Sequence, residues 1–120
     1  MNKSLVIQVV KILQKTSSAL LVGAIGCTEK EVEKEMLCAA ANLNGNPGVV
    51  FLINSLINNV YDKKLVISEL KYARDMIVLY KDELNISGLK LPRVKKINGL
   101  IFDINCAPEK KEINQDDKDW

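Results

Sequence analysis

Histidine is absent from this 120-residue sequence. That removes the commonest general base, the commonest metal ligand and the one side chain that titrates near neutral pH. Cysteine is scarce and odd in number, at Cys27, Cys38 and Cys106. Three thiols cannot all pair within one chain, and no two stand at the C-x-x-C spacing of a zinc knuckle or a thioredoxin-like site. Idle or buried thiols in a reducing, cytoplasmic compartment are the expectation, with no metal. Aromatic residues make up only 5% of the chain, so the core has to be built from Leu, Ile, Val and Ala. No GxGxxG, P-loop or GxSxG sequence is present, and no cysteine has a histidine to activate it. The sequence therefore points away from an enzyme and from any cofactor. It also lacks an uninterrupted apolar run of the roughly 18 residues that would suggest a membrane-spanning helix.

Charge of one sign is missing too. The formal net charge is +2, too small to draw the whole molecule to nucleic acid or an anionic membrane. Such binding would need a local patch. Apolar residues at 48% and charged residues at 27% are ordinary for a globular domain, and the chain is well above the size, about 40 residues, below which disulfides or metal are usually needed. A single domain over residues 1–106 is expected. Residues 107–120 carry eight charges and little to bury, so they read as a disordered charged tail.

What is present is mainly helical periodicity. Over residues 3–22, Leu5, Val9, Ile12, Leu13, Thr16 and Leu20 share one face, opposite Gln8, Lys11, Lys15 and Ser18. Gly23 and Gly26 weaken the helix beyond that. The stretch from Ser17 to Cys27 (SSALLVGAIGC) looks like the apolar end of a lipoprotein signal, with Cys27 as the acylated residue. Against this, Gln8, Lys11, Gln14 and Lys15 line one face, and a signal core is apolar all round.

Thr28-Glu-Lys-Glu31 has the form of a capping box opening a second helix, with Val32, Met36, Ala39 and Leu43 as its apolar stripe. The small run from Cys38 to Ala41 invites close approach of another helix. Asn44-Gly-Asn-Pro-Gly48 breaks the chain. A third helix follows at about 49–61, with Val49, Leu52, Ile53, Leu56, Ile57 and Val60 on its apolar arc and Asn54, Ser55, Asn58 and Asn59 opposite. Asp62 suits the cap of a fourth helix over 63–85. Its residues Val66, Leu70, Ala73, Ile77, Tyr80 and Leu84 form a short heptad-like seam of the kind found in a bundle core.

After Gly88 the texture changes. Arg93–Ile97, Asn98-Gly99 and Leu100–Ile104 read as a β-hairpin over about 89–105, because Asn-Gly suits a type I′ turn. An irregular segment or a short helix starting at Pro92 is the alternative. The expected fold class is thus mainly α: a small four-helix domain with a C-terminal β-hairpin and a disordered tail.

Candidate sites are few. Glu29, Glu31, Glu33 and Glu35 stand beside Lys30 and Lys34, the pattern of a solvated helix face. Asp75, Asp82 and Glu83 are likewise surface residues of a helix. Lys90, Arg93, Lys95 and Lys96 form a basic strip with no acid among them. On a hairpin they would act as a wing touching phosphates, joined by Lys71, Arg74 and Lys81 if the hairpin folds that way, or they would simply guard an edge strand. No aromatic is interleaved to stack unpaired bases, and the loop joining helices two and three is longer than a helix-turn-helix turn.

For a protein partner, Ile67 and Val78 fall on nearly one line of helix four, with Lys71 and Arg74 between them, while Asn54 and Asn58 mark an uncharged face of helix three. The functional expectation is a non-catalytic protein-interaction or self-assembling module. The alternative is contact with nucleic acid through the basic strip.

Overall fold

A 23-residue helix, α1 (Lys3–Ile25), is the spine against which four of the other helices pack. The computed structural model describes residues 1–45, 47–86 and 88–107. The remaining helices are α2 (Lys30–Asn44), α3 (Gly48–Asn58), α4 (Lys63–Leu79), α5 (Lys81–Ile86) and α6 (Val94–Cys106). Among the described residues there is no strand. The protein is mainly helical, and one cluster of buried, mostly aliphatic side chains draws on all six of these helices.

Asn2 opens α1, its Oδ1 accepting from the Leu5 backbone N–H at 3.0 Å. The expected face is the buried one: Val9, Leu13, Thr16 and Leu20 are fully enclosed, Ile12 is buried and Leu5 half-buried. The buried Thr16 hydroxyl donates to the Ile12 carbonyl at 2.8 Å, so no polar atom is stranded there. α2 runs antiparallel to α1. Its small residues Ala39 and Ala40 are buried, and Ser17 Oγ donates across to the Ala40 carbonyl at 3.0 Å.

The capping box at Thr28 does not form. α1 continues past Gly23 to Ile25, with Gly26 as its C-cap, leaving a short reversal in which Thr28 belongs to the turn. Glu29, in extended conformation, is the N-cap of α2 and makes no side-chain cap bond. Gly23 lies inside α1, at a point where the chain is crowded. A Cβ at this position would meet Met36 Cε at 2.8 Å and the Glu83 carbonyl oxygen at 3.1 Å.

Asp62 caps α4 as its sequence suggests, Oδ1 accepting from the Leu65 N–H at 3.1 Å. The single helix expected over 63–85 is divided. Tyr80 leaves helical geometry (φ −106°, ψ 30°), and α5 starts after it. The seam survives the break: Val66, Leu70, Ala73, Ile77, Tyr80 and Leu84 are all buried.

In place of the hairpin expected over 89–105, residues 94–106 form a helix, preceded by a non-helical segment. α6 buries Ile97, Leu100, Ile101 and Ile104, spaced i, i+3, i+4 and i+7. That period outweighs the Asn98-Gly99 turn signal, because burying four aliphatic side chains on one face stabilises more than a favourable turn does. α6 lies antiparallel on α4. Arg74 Nη1 donates to Asn98 Oδ1 at 3.0 Å, and Lys63 Nζ donates to the Ala107 carbonyl at 2.6 Å. The tail expected over 107–120 lies outside the described residues from 108 onward.

By length and composition, α1 and the stretch Lys30–Asn58 are apolar enough to cross a membrane, although no run is uninterrupted. Half of the α1 window and 41% of the second are buried within this fold.

Gly99 separates helix from hairpin experimentally. Its φ is not positive, and a Cβ there meets nothing within 4 Å. In a helix, Gly99→Ala should raise stability by about 0.5–1 kcal/mol. In a type I′ turn the same change would lower it. Chemical denaturation of the two proteins decides between them.

Candidate functional site

α3 is held in place by an unusual junction. Gly48 has φ +45°, and a Cβ there would lie 2.4 Å from the Leu43 carbonyl oxygen, so only glycine fits. Glu69 of α4 is buried beneath this junction and accepts a hydrogen bond from the Gly48 backbone N–H. Burial pushes its carboxyl above the ordinary 4.5, and the Gly48 N–H offsets part of that rise. A carboxylate at the N-terminus of α3 also complements the helix dipole.

So anchored, α3 buries Val49, Leu52 and Ser55 and turns other residues outward. Val50 is 43% exposed, Ile53 41% and Ile57 71%. Their spacing of three and four residues puts them on one line of the helix. Asn54 and Asn58, also exposed, flank that line. The sequence pattern placed Ile53 and Ile57 on the buried arc and Ser55 outward; the structure reverses this. Ser55 is buried and its hydroxyl donates to the Phe51 carbonyl at 3.0 Å. The helix also ends earlier than expected, because Asn59 takes the left-handed conformation at φ 55°.

Of the other partner candidates, Ile67 and Lys71 line one depression, and Arg74 and Val78 do not join them there. Ile67 is half-buried in a shallow depression between α4 and α6 that also includes Lys71, Tyr72 and Asn105. Arg74 is engaged with Asn98 and with Asp75, whose Oδ1 is 3.3 Å from Nε. Val78 is 59% exposed beside an equally exposed Leu79.

The basic residues are gathered more closely than the sequence suggested. A groove of about 370 Å³ lies between α1 and the segment that leads into α6, with Lys90, Arg93 and Lys96 along one wall. Lys11 and Lys15 of α1 supply the other wall. Lys95 points elsewhere on α6 and does not line the groove, and neither do Lys71, Arg74 or Lys81. Lys11 and Lys15 carried a sequence signal, since they lie on one polar helix face with Gln8. What the sequence did not show was that residues 90–93 pass alongside that face.

A third groove runs between α2 and α4, including Glu35, Cys38, Tyr72 and Tyr80. Its polar atoms are spent on holding the helices together. Tyr80 Oη donates to Glu35 Oε1 at 3.0 Å, and Asn42 Nδ2 donates to Tyr72 Oη at 3.1 Å. Burial, reinforced by the hydrogen bond to Glu35 and its charge, pushes the Tyr80 phenol up to about 12, so it stays protonated and keeps donating. Among the described residues no three Cys, Asp or Glu side chains converge as a metal site would require.

Glu69 gives the junction a pH signature. Its folded-state pKa lies above the unfolded value, so the folded protein binds this proton more tightly. The stability contributed is greatest when the carboxyl is protonated, and it falls as pH rises from about 4.5 through the raised folded value. Glu69→Gln should remove that decline from denaturation midpoints measured across the window. An unchanged decline in the variant would place its origin elsewhere.

Compared with known proteins, the chain matches no family model, no curated protein and no solved structure.

Proposed function

We propose that this chain is a non-catalytic interaction module that pairs with a second copy of itself along the outward face of α3. The observation that carries the reading is the line of Val50, Ile53 and Ile57 left in solvent on an ordered helix. Single exposed aliphatic residues are ordinary, but three in a row on one helix form a patch.

A second copy suits this patch for an electrostatic reason. A two-fold axis sets each face against itself, so a charge close to the axis meets its own kind. α3 contains no charged residue from Gly48 to Asn58. Asn54 and Asn58 offer both donors and acceptors, so they can pair with the same residues of a copy. Val78, on a different part of the surface, is a secondary contact in this reading; Ile67 and Arg74 are occupied in packing α4 against its neighbours, and the exposed Lys71 takes no part in the α3 contact.

An 11-residue helix is short, about 16 Å long, so the contact is small and the pairing weak. Light scattering over a concentration series should show the mass rising from monomer toward dimer. Ile57→Lys should hold the protein monomeric and leave its melting temperature unchanged, because Ile57 is 71% exposed in the monomer. A wild-type protein that stays monomeric throughout, or a variant that dimerises as well as wild type, would contradict the proposal.

A further inference from the structure

Self-pairing through α3 leaves the basic groove unused, and the groove is built as a receptor for anions. Its five cations, Lys11, Lys15, Lys90, Arg93 and Lys96, come from two separate parts of the chain, and no acidic residue lines it. Among the described residues none of the five makes an ion pair or a side-chain hydrogen bond; the one ion pair is between Arg74 and Asp75. In the sequence the other twelve Lys and Arg residues are outnumbered by fifteen acids, so the excess of positive charge lies with the five that line this groove. α6 adds to it. Arg93 is the N-cap of that 13-residue helix, no side chain caps its first turn, and Lys96 lies within that turn. The positive end of the helix dipole therefore opens beside the groove.

We infer that the groove seats the phosphate ridge of a duplex nucleic acid, without regard to base sequence. Two features favour this ligand over other anions. The floor is Ile12, Leu91 and Pro92, and no aromatic side chain is among the lining. Unpaired bases would find nothing to stack on, whereas a duplex keeps its bases stacked and presents only phosphates. The site is also concave, with Ile12 buried and Leu91 and Pro92 half-buried, so none of the apolar side chains lining it projects to enter a bilayer as an interfacial anchor requires.

The test is fluorescence anisotropy of a short labelled duplex of arbitrary sequence, titrated with the full chain over a range of salt concentrations. Affinity should fall steeply with salt. The log–log slope should approach about −4.5 if all five cations meet phosphates, at about 0.9 per contact. Lys11→Gln, Lys15→Gln and Lys96→Gln should each reduce the slope by about one, and their melts should match wild type because these side chains are exposed. Lys95→Gln, adjacent in sequence but outside the groove, should leave the slope close to wild type.

The inference is overturned if the duplex does not bind at low salt, or if Lys95→Gln weakens binding as much as Lys11→Gln. It is also overturned if a single strand, polyglutamate, inorganic phosphate or vesicles containing an anionic lipid bind more tightly than the duplex at the same salt.

Discussion

The close approach of α1 and α2 is the contact on which the other elements depend. Small residues make it possible: Ala39 and Ala40 on α2, and Ser17, Ala24 and Gly23 on α1, are all buried. The Ser17 hydroxyl bonds the Ala40 carbonyl across the interface, so the backbones come near without stranding a polar group. Around this pair the larger aliphatic side chains interlock. Leu13, Leu20, Met36, Leu43, Leu70 and Leu84 are fully enclosed. Truncating a leucine at such a position costs about 2–5 kcal/mol, a large part of what a domain of this size has to lose.

Two surfaces follow from how the remaining helices attach to that pair. α3 is fixed at its start by the Gly48 turn and by Glu69 beneath it. It touches the core along one edge only, which leaves Val50, Ile53 and Ile57 in water. α6 packs chiefly on α4, and the segment entering it crosses the polar side of α1. That crossing brings Lys90, Arg93 and Lys96 opposite Lys11 and Lys15. The two surfaces differ in chemistry, one uncharged and apolar, the other cationic, so each can be altered without touching the other.

Much of the helical framework was legible in the sequence where local pattern and packing agree. The α1 face, the α4 seam and the Asp62 cap are set by spacing and by one side-chain oxygen, and all three are found in place. Disagreement arose where two local signals competed. Asn98-Gly99 favours a turn, but the period of Ile97, Leu100, Ile101 and Ile104 was the stronger signal. Thr28-Glu-Lys-Glu31 has the form of a cap, but the extension of α1 to Ile25 moved the boundary by one residue. The surfaces were the least legible part. Which of α3's aliphatic residues face out depends on where α1 and α2 leave room, and the meeting of Lys11 with Lys90 depends on the path of a loop. Neither is written in helical periodicity.

The central claim is that α1 is the spine of the fold, and not a helix that merely lies on its surface. Native-state hydrogen exchange measured residue by residue tests this most directly. If α1 is the spine, the amides from Val9 to Leu20 open only with global unfolding and are the slowest in the chain, while those of α3 and α6 exchange through smaller openings. Exchange of the α1 amides as fast as those of α3, with α4 still protected, would contradict the account.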